Sequence, residues 1–164
     1  MKRFITFLAI LLMSSPLWAQ QKVFTVVFAT SDDGFLNVRS QPSNNGTILA
    51  ELPMCFHGLG DGLLIERGKN WSKVKVGNTV GWVYNKYLGS QTWLKNNGKP
   101  KLVTIKDNVK IYGEDFADSG KLPVRFTVGK DVIIGDDYTE NGAYYQLWTA
   151  HDCLFIRKKD VRRE

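Results

Sequence analysis

The sequence predicts an all-β fold built from one small unit used twice, and three observations carry that expectation. Between Val23 and Val161 no run of ten residues sustains helical spacing of its apolar positions. Short apolar alternations are instead separated by Gly, Asn, Asp and Ser, the residues that make tight turns. Two stretches also match each other. Leu52-Pro53-Met54-Cys55-Phe56 and Asp61 stand opposite Leu122-Pro123-Val124-Arg125-Phe126 and Asp131, 70 residues on. Further along, Trp71, Val74, Gly81-Trp82-Val83 and Leu88 stand opposite Tyr144, Leu147, Leu154-Phe155-Ile156 and Val161, 73 residues on. Upstream, Asn37-Val38-Arg39 aligns with Asn108-Val109-Lys110. Alternating apolar positions kept in two copies point to a duplicated β unit.

Taken in chain order, residues 1–19 have the three-part layout of a secretory signal peptide. Lys2 and Arg3 are followed by the apolar run Phe4 to Met13, a Ser14-Ser15-Pro16 break and the small residue Ala19. The run is short for a membrane span. Residues 20–89 form the first unit. Val23 to Ala29 is its opening strand, turned by Ser31-Asp32-Asp33-Gly34 into Phe35 to Arg39. Gln41 to Gly46 is a loop by composition, and Thr47 to Leu52 and Gly62 to Arg67 are strands. Trp71 to Val76 and Thr79 to Val83 alternate on either side of Gly77-Asn78, a two-residue hairpin signal requiring positive φ. Gly81 within that strand predicts a close backbone approach. Asn85 to Leu88 closes the unit as a helical turn. Residues 90–100 are a polar connector with little to bury, Trp93 excepted; that ring is either a plug between the units, the preferred reading, or an exposed contact. Residues 101–164 form the second unit, in which Lys101 to Ile105 is placed as Val23 to Ala29 is in the first.

Removing residues 1–19 takes away two cations and no acid, so the net charge falls from +6 to +4. A mildly basic exported chain suits contact with acidic envelope polymers, or plain solubility, and has little occasion to meet nucleic acid.

Residues 35–89 resemble the bacterial SH3-like (SH3b) domain. The match rests on Leu36-Asn37-Val38-Arg39-Ser40-Gln41-Pro42-Ser43, Trp71-Ser72-Lys73-Val74, Gly81-Trp82-Val83 and Tyr87-Leu88, all in the family's order. The stretch Met54 to Gly62 departs from the family, which often carries a shorter basic turn there. Residues 107–163 resemble the family only through the first unit, lacking the Arg, the Pro-Ser pair and both Trp positions. The resemblance implies two tandem small SH3-like barrels, the second degenerate. It also implies an exported non-catalytic module, periplasmic or secreted, that binds cell-wall peptide or an envelope protein without a cofactor. The alternative is a dedicated inhibitor, immunity factor or accessory subunit of an envelope enzyme or complex.

The candidate ligand-binding residues are Asn37, Arg39, Trp71, Trp82, Tyr84 and Tyr87. The four aromatics would supply contact area at low entropic cost. Against this, a unit so small needs large side chains inside, and the packing reading is preferred for Trp71 and Trp82. Alternation from Val83 points Tyr84 outward. Asn37 and Arg39 share the strand face opposite Val38. Arg39 would hold a ligand carboxylate or, in the preferred structural reading, tie down the Pro42 loop.

Cys55 and Cys153, the two cysteines, sit at unmatched positions in the repeat. Either they pair, closing a loop of nearly 100 residues and stabilising by roughly 4–5 kcal/mol, or both stay as buried thiols. Cys55-x-His57 and His151-x-Cys153 together would make a two-Cys, two-His set, but the spacing is unlike structural zinc sites. A thiol and imidazole two residues apart on a strand are also separated by about 6–7 Å, beyond reach for activating a nucleophile. The pairs Asp32-Asp33 and Asp136-Asp137 and the acids of Asp115 to Asp118 read as turn formers rather than calcium ligands.

Overall fold

The computed structural model describes residues 22–54, 62–114, 120–149 and 153–164. Among them the chain is all-β, with two single 3₁₀ turns and three sheets. No helix among the described residues is long and apolar enough to cross a membrane.

The strands of residues up to 91 are β1 (Val26–Ala29), β2 (Phe35–Arg39), β3 (Ile48–Pro53), β4 (Gly62–Glu66), β5 (Trp71–Val76), β6 (Thr79–Tyr84) and β7 (Leu88–Gln91). The Asn85–Tyr87 3₁₀ turn joins the last two. They form one sheet in the order β3-β2-β6-β5-β4-β1-β7. Gly77, at φ +55°, makes the expected tight turn between β5 and β6. Beyond the connector come β8 (Leu102–Thr104), β9 (Val109–Tyr112), β10 (Val124–Val128), β11 (Ile133–Gly135), β12 (Thr139–Asn141), β13 (Tyr144–Trp148), β14 (Cys153–Arg157) and, after the Lys158–Asp160 3₁₀ turn, β15 (Val161–Arg163). Their orders are β10-β9-β14-β13-β12 and β11-β8-β15. The neighbour relations are those of the first half, with the place of β4 taken by two short strands, β12 beside β13 and β11 beside β8.

The 73-residue offset holds in the pairing itself. Trp71 lies opposite Tyr84 and Val74 opposite Gly81, as Tyr144 lies opposite Arg157 and Leu147 opposite Leu154. Upstream, the alignment needs correction. Trp82 pairs with Arg39, and its counterpart Phe155 pairs with Tyr112, so Val38 corresponds to Ile111 and not to Val109. Leu52 faces Leu36, and the residue so placed in the second half is Val128, facing Val109; Leu122 lies before β10. Both slips, of two residues and six, are even. A strand shifted by an even number keeps the same inward and outward sides, so the apolar pattern could not reveal them.

The core falls into two clusters. Val27, Val38, Leu52, Val74 and Val83 fill the first half, with Leu36, Ala50, Leu64, Val76 and Leu88 packed against them. The larger cluster belongs to the second half, yet includes Phe24, Val26 and Trp93 from before or within the connector. Trp93, 1% exposed, stacks on Phe24 at 5.6 Å and donates its indole N–H to the Trp148 carbonyl at 2.8 Å. Its own carbonyl accepts from the Asp136 and Asp137 amides, both at 2.9 Å. The connector thus contributes one of the largest fully buried side chains while its other residues are exposed or partly exposed, which fits the plug reading of Trp93 and overturns its alternative as an exposed contact. The segment just before β1 is tied in likewise, since Phe24 N donates to Ile133 O at 2.7 Å and Ile133 N to Lys22 O at 2.8 Å.

Asp136 is buried because it organises this junction. Its carboxylate accepts from the Lys95 amide at 2.6 Å and, more weakly, from the Asn97 amide at 3.4 Å, satisfying connector N–H groups. This corrects its reading as a turn former, since its carboxylate bonds the connector and not its own turn. Asp136→Ala leaves those donors without their acceptor and is expected to cost about 1–3 kcal/mol, read as a lower urea midpoint at unchanged m-value.

An outward aromatic and basic face on each half

The β5–β6 hairpin separates its side chains by parity. Ser72, Val74, Gly81 and Val83 turn inward and are buried, whereas Trp71, Lys73, Lys75, Trp82 and Tyr84 turn outward. Trp71 and Trp82 therefore lie outside the core cluster, partly exposed, and the packing expectation for them is overturned. Aliphatic side chains suffice to fill this small interior.

The register orders the outward face. Trp71 sits across from Tyr84, their rings 5.4 Å apart, and Tyr84 meets Tyr87 edge-on at 6.3 Å. Trp82 is flanked by Arg39 of β2 on one side and Lys73 of β5 on the other. The Lys73 ammonium lies 5.8 Å from the Trp82 ring, and the Lys86 ammonium 5.1 Å from Tyr87. Tyr84 and Tyr87 are each 38% exposed. Asn37 lies on the same strand face as Arg39, partly buried. All six candidate residues thus lie on β2, β6, the start of β5 or the 3₁₀ turn.

Arg39 is already engaged. Its Nη1 donates to the Gly46 carbonyl at 2.8 Å, which ties the Gln41 to Gly46 loop to β2 as the structural reading expects. Gly81 permits this packing: a Cβ there would stand 2.7 Å from both the Arg39 carbonyl oxygen and Val38 Cγ1. Below the face, Ser72 Oγ donates to Asn85 Oδ1 at 2.6 Å, and Asn85 Nδ2 donates to the Gly68 carbonyl at 2.8 Å. This network fixes the loop that delivers Trp71.

The second half repeats the face with residues exchanged. Trp71 becomes Tyr144, Trp82 becomes Phe155, Tyr84 becomes Arg157 and Arg39 becomes Tyr112. Tyr144 meets Tyr112 and Phe155 edge-on, at 6.0 and 6.2 Å. Sequence comparison alone missed this conserved composition of three aromatics and one arginine, because the arginine and a tyrosine have traded strands.

Cys153 lies on β14, fully buried, where its thiol donates to Glu114 Oε1 at 2.7 Å and its sulfur accepts from Gln146 Nε2 at 3.1 Å. Cys55, His57 and His151 lie outside the described residues, and the disulfide and two-Cys, two-His expectations with them. Among the described residues, no group of three or more His, Cys, Asp and Glu is placed to hold a metal ion.

A scan against protein-family models and a search of the curated proteins both return no match for this chain.

Proposed function

We propose that the chain is an exported, non-catalytic binding protein made of two SH3b-type units, recognising cell-wall peptide through the outward face of its first half. The observation that carries this reading is the placement of Trp82. It is a partly exposed indole with Arg39 opposite it on β2 and Lys73 opposite it on β5, on the same outward side of the sheet as the Trp71–Tyr84–Tyr87 ring cluster. Rigid aromatics with flanking cations suit a flexible peptide that carries carboxylates, since they offer contact area, stacking and charge while losing little rotamer freedom. The repeated strand order supports two units of one type, and the motif residues 36–43, 71–74 and 81–83 support the SH3b assignment. The buried Cys153 thiol, engaged by a carboxylate, supports a binding role over nucleophilic chemistry.

Sedimentation with purified peptidoglycan in rising salt tests the proposal. The protein is expected to co-sediment through moderate salt, and Trp82→Ala and Tyr84→Ala each to weaken capture by about tenfold or more, as hot-spot aromatics do. Release of the wild type at moderate salt, with the variants behaving identically, would reduce the effect to charge attraction and end the proposal.

A further inference from the structure

A cavity of about 410 Å³ opens on the second half, lined by Ala143, Tyr144, Arg157, Lys158 and Lys159. It occupies the second-half counterpart of the Trp71–Tyr84 corner. The guanidinium of Arg157 lies over the Tyr112 ring at 5.3 Å and beside the Tyr144 hydroxyl. Tyr144, and then Tyr112, raise its pKa above the ordinary arginine value.

The charges around the cavity are unequally satisfied. Lys158 donates to Glu140 Oε2 at 2.6 Å while its ammonium lies 5.4 Å from the Tyr145 ring. Glu140, held below its ordinary carboxyl range chiefly by Lys158, also lies 3.8 Å from Arg163. Asp160, next in reach, is taken by Lys106 at 2.6 Å. Among the described residues neither Arg157 nor Lys159 makes an ion pair with a carboxylate. A fork-shaped cation held in place by two tyrosines, facing a mostly apolar recess with a second cation at its rim, matches a planar carboxylate on a small apolar body.

We propose that this recess is a second ligand site, binding the C-terminal carboxylate of a short apolar peptide between Arg157 and Lys159 with Tyr144 against the peptide's body. It extends the wall-peptide reading above by assigning the ligand group and by making the chain bivalent, with each half presenting its own site. Two linked sites raise the avidity for a polymer bearing many such ends well above either affinity.

The test is a ¹H–¹⁵N titration of the labelled protein with N-acetyl-D-alanyl-D-alanine, its C-terminal amide, and inorganic phosphate. The free acid is expected to shift the amides of Ala143, Tyr144 and Arg157 to Lys159 saturably, with the amide form silent. Arg157→Gln should weaken that binding at least tenfold and Lys159→Gln several-fold, whereas Trp82→Ala leaves it unchanged. Lys159 is exposed, so its variant keeps the test decisive if Arg157→Gln perturbs folding. Equal shifts from phosphate would mean an unselective anion contact, and silence of these amides would mean no site; either overturns the proposal. Silence here, with peptidoglycan capture still lost in Trp82→Ala, overturns this site alone. Persistence here, with capture indifferent to Trp82→Ala, overturns only the first-half reading.

Discussion

Trp93→Ala is expected to lower the unfolding free energy by about 3–5 kcal/mol, the range for emptying a buried aromatic site. The ring is fully enclosed by the second-half core although it arrives on the connector. Its loss removes the stack on Phe24 and leaves the Trp148 carbonyl without its indole donor. The wall of the resulting cavity cannot close, because the Trp93 backbone is fixed by the Asp136 and Asp137 amides. Trp93→Phe keeps the stack and loses the hydrogen bond, so it should retain a large part of the stability. Urea denaturation of both variants checks the order. If Trp93→Ala matched the wild type within about 0.5 kcal/mol, the usual range for surface substitutions, the ring would not be joining the halves.

Gly135→Ala is expected to be of similar size, about 2–6 kcal/mol, from backbone strain and overpacking together. Gly135 has φ +153°, and a Cβ there would fall 2.4 Å from the Trp93 carbonyl oxygen and 2.7 Å from its carbonyl carbon. Both are backbone atoms, so no rotamer change relieves the contact. The position forms a parallel bridge to Trp93 at the end of β11, where the chain leaves the path that β4 follows in the first half. Gly142→Ala is the control. It also has positive φ, +54°, but nothing lies within 4 Å of its added Cβ. That variant should lose only the left-handed backbone penalty of about 1–2 kcal/mol. Equal losses at the two positions would show that the junction with Trp93 tolerates displacement.

How much of this was legible depends on which physical signal each feature leaves in sequence. The β5–β6 hairpin was fully legible, because period-two alternation and a Gly-Asn turn act locally. Alternation also determined that Tyr84 faces outward, and it speaks equally for Trp82, which adjoins Val83, and for Trp71, three residues from Val74. The general demand of a small unit for large core residues competes with parity there, and aliphatic side chains meet that demand instead. The alignments through Leu52 and Val38 failed because even slips keep parity. The buried role of Asp136 left no signal beyond a turn-like setting, since its acceptors' partners lie about 40 residues away in the connector. The aromatic face of the second half was hidden by an exchange across strands, which only the register exposes.

The indole N–H resonances of the protein offer the most direct reading of the central claim, that the first half binds wall peptide through its outward aromatic face. Titration with soluble peptidoglycan fragments should move the indole signals of Trp71 and Trp82 and leave that of the enclosed Trp93 in place. Movement of neither outward indole at saturating fragment would contradict the account.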